Sequence, residues 1–321
     1  MNINNIIKRC TQTEKYKQIK KEGSAPKFKI LGDKKMKIIV TGVNGQLGYD
    51  VIKILKNKKD VEIIEADKDN CDLTDEKATF EFVKSQNPDA VIHCGAYTAV
   101  DKAEDDKELC MKINKNGTEA IAKACKEISA KMIYISTDYV FSGIGEKPWE
   151  VNDEASPINY YGLSKYEGEK SVISNLKKFF IVRTSWVFGI NGKNFVRTMI
   201  NLGKKMNTIN VVNDQIGSPT YTPDLAKLLC EMVFTEKYGI YHGTNEDFCS
   251  WADFAEEIFK LANLDVKVNR ITTEEYKTKA IRPKNSRLSK KSLIESNFSL
   301  FPTWKDALKR YIEELKEHDE N

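Results

Sequence analysis

Lys37-Ile-Ile-Val-Thr41-Gly-Val-Asn-Gly-Gln-Leu-Gly48 is a β-type apolar run followed at once by glycines at 42, 45 and 48 and then by an amphipathic stretch of helical length. A strand that turns directly into a helix presents the helix's unpaired N–H groups at the turn, and glycines let a phosphate approach them. Gly42, Asn44, Gly45, Gln46, Leu47 and Gly48 are therefore candidates to cradle a dinucleotide pyrophosphate. The GxxGxxG spacing equally serves ordinary strand-to-helix turns, where glycine only relieves backbone geometry. Asp67 lies nineteen residues after Gly48, at the end of the next apolar run, where a carboxylate meets an adenosine ribose. A carboxylate there repels a 2′-phosphate and favours NADH, while the adjacent Lys68 leaves NADPH open. Asp72 and Leu73, in Asp72-Leu73-Thr74, stand where a segment either contacts the adenine or caps the next helix.

Outward from this stretch the same alternation continues. Residues 61–66, 90–93, 131–136 and 179–183 read as strands, and helical patterns fall near 45–56, 75–86, 103–128 and 160–175. Strands separated by crossovers of helix length imply right-handed βαβ units, hence an α/β fold with a doubly wound parallel sheet of Rossmann type. Beyond residue 190 the order loosens into a strand at 208–212 and helices near 222–235, 250–262 and 303–317. Ser250 and Asp253 have capping-box spacing, which starts the second of these helices. Residues 36–185 are expected to form mainly the dinucleotide-binding domain. Residues 186–321 are expected to form mainly a smaller C-terminal substrate-binding lobe, with room for a segment that returns to the sheet.

Two further segments carry chemistry. Tyr161-Gly-Leu-Ser-Lys165 opens a helix, and a separation of four places the phenol and the ammonium on one face, a turn apart. A fixed cation beside a phenol stabilises the phenolate and prepares it as a proton donor. Ile135-Ser-Thr-Asp-Tyr-Val-Phe141 follows the fourth strand at the carboxyl edge of the sheet, where open α/β folds bind ligands, and supplies a hydroxyl at Ser136 or Thr137 to hold a carbonyl oxygen. Each segment also has a plain reading, the first as a helix surface and the second as a strand-capping turn.

The whole composition is consistent with such an enzyme. The chain has 321 residues, 40% hydrophobic and 31% charged, with no run near the roughly 18 apolar residues of a membrane span. No signal-peptide core is visible, so a cytoplasmic location is expected. Seven cysteines without a CxxC pair, and only three histidines, argue against a disulfide framework or a structural metal site. Ten Lys/Arg against three Asp/Glu give residues 1–35 a charge of +7, which leaves −3 on the rest. That basic extension is expected to be a disordered tail before the strand at Met36, and neither nucleic acid nor a membrane is expected as a partner.

The glycine loop, Ala96-Tyr-Thr-Ala-Val-Asp-Lys-Ala-Glu104, the STDYVF run at 136–141, YxxxK at 161–165, Arg183-Thr-Ser-Trp-Val-Phe-Gly189 and Asn213-Asp-Gln-Ile-Gly-Ser-Pro-Thr220 together resemble the extended short-chain dehydrogenase/reductases. Within these, the order and spacing of the segments are most similar to the dTDP-4-dehydrorhamnose reductase family, from Met36 to the C-terminal helix. The resemblance implies transfer of hydride from NADH or NADPH to C4 of dTDP-4-dehydro-β-L-rhamnose. Tyr161 is then the proton donor, Lys165 lowers its pKa and holds the nicotinamide ribose, and Thr137 binds the reacting carbonyl. Ala96, Tyr97 and Thr98 would flank the cofactor, and Asn114 would support the active-site helix. Val100, Asp101, Tyr139 and Trp186 would touch the sugar, with Asn194, Gln215 and Pro219 near the nucleotide. Arg282-Pro-Lys-Asn-Ser286 resembles the family's C-terminal basic motif. Some relatives use Mg²⁺ in forming a homodimer, but no acidic cluster in this sequence calls for the metal.

Two other readings compete. Epimerases and 4,6-dehydratases of the superfamily act on similar substrates with retained cofactor, but the dehydratases place two carboxylates after the active threonine, and here Asp138 is followed by Tyr139. A cofactor-binding regulatory subunit of the same fold has no chemical need for Thr137, Tyr161 and Lys165 together.

Overall fold

The computed structural model describes residues 35–319. The basic extension expected over 1–35 therefore lies, apart from Lys35, outside the described residues. Along the chain, β1 (Met36–Thr41), α1 (Gln46–Leu55), β2 (Val61–Ala66), α2 (Glu76–Gln86) and β3 (Ala90–His93) alternate in βαβ order. Next come α3 (Lys107–Met111), a π-helical turn (Lys112–Gly117), α4 (Thr118–Glu127), β4 (Lys131–Thr137), α5 (Tyr160–Asn175) and β5 (Phe179–Thr184). The remainder comprises β6 (Val187–Phe188), α6 (Phe195–Gly203), β7 (Thr208–Val212), β8 (Ile216–Gly217), β9 (Thr220–Tyr221), α7 (Thr222–Met232) and β10 (Gly239–His242). It ends with β11 (Cys249–Ser250), α8 (Trp251–Leu261), β12 (Lys267–Ile271), β13 (Asn285–Ser286), α9 (Lys291–Glu295) and α10 (Trp304–Asp319).

Six strands form a parallel sheet in the order β10-β5-β4-β3-β1-β2. Its strands are apolar on both sides because both sides are covered. Ile38 and Val40 of β1 and Phe180 and Val182 of β5 pack with α1 and α7 on one face. Ile39, Met132, Tyr134 and Ile181 pack with Ile121 of α4 and Val172 of α5 on the other. The fold is thus doubly wound. A separate aromatic core, with Phe188, Phe254, Trp304 and Tyr311 buried, joins α6, α8 and α10 beside the sheet.

One expected element differs. The helix anticipated over 103–128 is a 3₁₀ turn (Lys102–Glu104), α3, the π turn and α4 in succession. The interruption has a side-chain counterpart. Asn114 in the π turn is buried, accepts the Tyr97 backbone N–H at 2.8 Å and donates to Tyr97 O at 3.0 Å and Ser164 Oγ at 2.9 Å. A π turn re-aims a helical side chain, and here it aims an amide at the start of α5.

Candidate active site

The β1–α1 turn is built for close approach. Gly42 has φ +67°, and a Cβ there would meet the Gly95 backbone at 2.7 Å; a Cβ on Gly48 would lie 2.2 Å from Gly42 O. Neither position admits a side chain. The α1 N-cap, Gly45, supplies no side-chain cap, so the first-turn amides keep their capacity for an anion. The donor set and the shape of this turn therefore fit a dinucleotide pyrophosphate. At the end of β2, Asp67 accepts the Asn44 and Lys68 backbone N–H groups, both at 2.8 Å, which fixes its carboxylate beside the loop.

Tyr161 is the second residue of α5, whose N-cap Asn159 accepts the Gly162 N–H at 2.8 Å and donates to Ile281 O at 2.8 Å. Ser164 Oγ donates to Tyr161 O at 2.7 Å and receives Asn114, so the π turn and the backbone of Tyr161 are tied together. Thr137, at the end of β4, donates to Asp138 Oδ1 at 3.0 Å and accepts the Tyr139 N–H at 3.2 Å. The Tyr139 ring meets the Tyr161 ring edge-on at 5.8 Å. Lys165 is 3% exposed, with Nζ 4.2 Å from the centre of the Tyr134 ring.

Burial sets the electrostatics. It pushes Lys165 down to about 7, against the pull of Glu169 one turn away, and it pushes Asp138 up to about 6 against hydrogen bonds from Ser286 and Thr137. Burial, and then the charge of Asp138, also raise the Tyr161 phenol, while the Thr137 contact pulls it back. The spacing of Lys165 predicts a lowered phenol, and the shift found runs the other way. Desolvation of the phenol and the neighbouring Asp138 charge outweigh the Thr137 contact, so the phenol stays protonated.

A cleft of about 1100 Å³ runs along this edge. Its walls include Gly42, Asn44, Gly45, Gln46, Leu47, Gly48, Asp67, Asp72, Leu73, Ala96 and Thr98, and also Val100, Thr137, Tyr139, Tyr161, Lys165 and Trp186. Six expected residues do not line it. Tyr97 donates its hydroxyl to Asp106 at 2.8 Å, and Asn114 is enclosed beneath it. Asp101 receives Arg282 Nη2 at 2.8 Å. Asn194 caps α6 and donates to Gln46 Oε1, Gly189 O and Tyr311 OH, while buried Gln215 donates to Thr273 and Pro219 is enclosed. A second groove, about 1520 Å³ and lined partly by Glu246 and Lys290, contains none of the Thr137, Tyr161 and Lys165 chemistry.

Some groups had no functional reading in the sequence. Arg282 lines the cleft from a segment far along the chain, held there by Asp101. Asp138 is 2% exposed, and its Oδ2 has no hydrogen-bond partner. His93, at the end of β3, bridges Thr41 Oγ1 at 2.7 Å and Thr118 Oγ1 at 3.1 Å, and burial lowers its pKa to about 3. A histidine closing an apolar strand was the one visible signal for it. Among the described residues no group of three or more His, Cys, Asp or Glu is placed to hold a metal, and no helix is long and apolar enough to cross a membrane.

Comparison with known proteins adds three findings. A dTDP-4-dehydrorhamnose reductase from Aggregatibacter actinomycetemcomitans is 38% identical over 85% of this chain and 97% of its own length. The structure of a Clostridium acetobutylicum dTDP-4-dehydrorhamnose reductase superposes with a TM-score of 0.85 at 44% identity, covering 88% of this chain and 100% of that one. The Bacillus anthracis enzyme of the same name, solved in complex with NADP, also has a TM-score of 0.85, at 43% identity over 87% of this chain and 99% of its own. The pattern that defines the RmlD substrate binding domain matches residues 36–317, and the chain belongs to that family of nucleotide-sugar ketoreductases.

Proposed function

We propose that this protein reduces the C4 ketone of dTDP-4-dehydro-β-L-rhamnose to the alcohol of dTDP-L-rhamnose, with NADH or NADPH as reductant. The observation that carries the reading is the convergence of Thr137, Tyr161 and Lys165 in the same cleft as the glycine turn. Gly42, Asn44, Gly45, Gln46, Leu47 and Gly48 would hold the pyrophosphate. Asp67, Asp72 and Leu73 would lie on the adenosine side, with Ala96 and Thr98 toward the nicotinamide. When bound, the reduced nicotinamide supplies the hydride to C4. Tyr161 transfers its hydroxyl proton to the ketone oxygen as that oxygen gains charge, and Thr137 holds the oxygen for the transfer. The Lys165 ammonium stabilises the phenolate left on Tyr161 and binds the nicotinamide ribose. Asn114 and Ser164 hold the first turn of α5 so that the phenol keeps its aim.

Val100, Tyr139 and Trp186 would face the sugar. Arg282 supplies the cleft with a cation suited to a diphosphate, oriented by Asp101. Asp67 supports a preference for NADH, since its fixed carboxylate disfavours a 2′-phosphate. Steady-state reduction assays on the parent and on Tyr161→Phe test the assignment. Turnover of the keto sugar that collapses in the variant supports it, and equal turnover in both removes Tyr161 as the acid.

A further inference from the structure

Trp186 follows β5 with φ +49°, a left-handed backbone that a bulky residue rarely adopts. Its indole is stacked on Trp251, with ring centroids 3.7 Å apart and planes 13° from parallel. Phe195 closes on Trp251 at 4.5 Å and 51°, and all three rings are partly exposed in the wall of the cleft. Trp251 is itself firmly placed. It is the first residue of α8, behind a complete capping box in which Ser250 Oγ accepts the Asp253 N–H at 3.0 Å and Asp253 Oδ2 accepts the Ser250 N–H at 2.9 Å. The preceding strand β11 pairs with β8, setting Cys249 opposite Gly217. Gly217 in turn borders Trp186: a Cβ there would come within 3.0 Å of the indole Cε2 and of Ser286 Cβ. The indole is therefore confined between Gly217, where an added Cβ would press against it, and a partner ring anchored at a helix start.

We propose that Trp251 is a positioning residue for substrate: by stacking on Trp186 it fixes the indole plane that the nucleotide-sugar meets. The stack has a reason to be exposed, because a flat apolar face at a cleft wall is what a sugar or base ring packs against. The strained Trp186 backbone needs an opposing surface to hold it, and Trp251 is that surface. This role rests on the ketoreductase function and on Trp186 as a substrate contact.

The test uses the full chain with dTDP-4-dehydro-β-L-rhamnose and each of NADH and NADPH, and the variants Trp251→Ala, Trp251→Leu and Trp251→Phe. Two stacked indoles give an exciton couplet in far-ultraviolet circular dichroism, which reports the stack independently of turnover. The parent is expected to show the couplet and all three variants to lose it. Trp251→Ala and Trp251→Leu are expected to raise KM for the sugar nucleotide about tenfold, the scale of one lost aromatic contact, with kcat within about threefold and KM for the coenzyme unchanged. Trp251→Phe is expected to restore most of the KM. Leu fills the space without an aromatic face, so it carries the test if the Ala variant fails to fold. A sugar-nucleotide KM unchanged in Trp251→Leu, or a rise matched by Trp251→Phe, overturns the proposal, as does a parent without the couplet. A parent inert toward the keto sugar overturns the ketoreductase reading, and the positioning role falls with it.

Discussion

Tyr161 faces the cleft from the turn that Asn159 caps and is held protonated, so under the proposed function its one transferable proton is its contribution to the reaction. Tyr161→Phe removes that proton and little else. Turnover is expected to fall about 10²–10⁴-fold, the range for loss of a general acid, while NADPH binding measured by fluorescence titration stays within a factor of about two. Asp67 makes the second residue-scale prediction. Its carboxylate accepts two loop amides, so Asp67→Ala loosens binding of both coenzymes; the informative quantity is their ratio. The preference for NADPH over NADH is expected to rise about tenfold in kcat/KM, because one repulsive charge is gone. A parent that already strongly prefers NADPH removes the ribose assignment. The glycine turn and the Tyr161–Lys165 pair were legible from sequence because local spacing fixes each; the hydroxyl stayed open between Ser136 and Thr137 until the family resemblance chose Thr137. Arg282 was quoted within a motif without a role, since only the folded chain brings it beside Asp101.

Five of the six sheet strands, β1 to β5, were legible at the level of elements because an apolar run stood between turn signals; β10 was not, and the sequence left only room for a segment returning to the sheet. The two-residue strands β6, β8, β9, β11 and β13 were not, because a pair of bridged residues has no periodicity and is defined by its partner. The π turn was equally hidden: its sequence, Lys112-Ile-Asn-Lys-Asn-Gly117, reads as ordinary helix, and Asn114's contacts with Tyr97 and Ser164 mark its purpose. The α1–α7 contact yields an element-scale prediction. Asp50 of α1 is 1% exposed and accepts the Thr222 hydroxyl at 2.5 Å, yet its Oδ1 has no partner; burial pushes its pKa up to about 6 from 3.8. A folded-state value above the unfolded one gives stability that is fully present below about pH 4 and lost as pH rises through 6. Asp50→Asn keeps an acceptor for Thr222 and has no charge to bury. It is expected to gain about 1–3 kcal/mol over the parent near pH 7.5 and almost nothing near pH 4, by urea denaturation at both pH values. An equal effect at the two pH values contradicts the assignment of a buried carboxylate.

The whole molecule joins a sheet edge to a smaller aromatic core. Gln46 of the glycine turn accepts the Gly189 N–H at 2.9 Å and Asn194 at 3.1 Å, so the expected phosphate site is fastened to the segment that carries Trp186. From the other side, Asn159 binds Ile281 O and Asp101 binds Arg282, which brings the distant segment 280–282 to the start of α5. These ties set the glycine turn, Tyr161, Trp186 and Arg282 in the walls of one cleft. The most direct measurement is oxidation of NADH and of NADPH by the full chain in the presence of dTDP-4-dehydro-β-L-rhamnose, with the product identified by mass. The account predicts one coenzyme oxidised per sugar reduced and a product two hydrogens heavier. No oxidation with either coenzyme, while both bind, would contradict it.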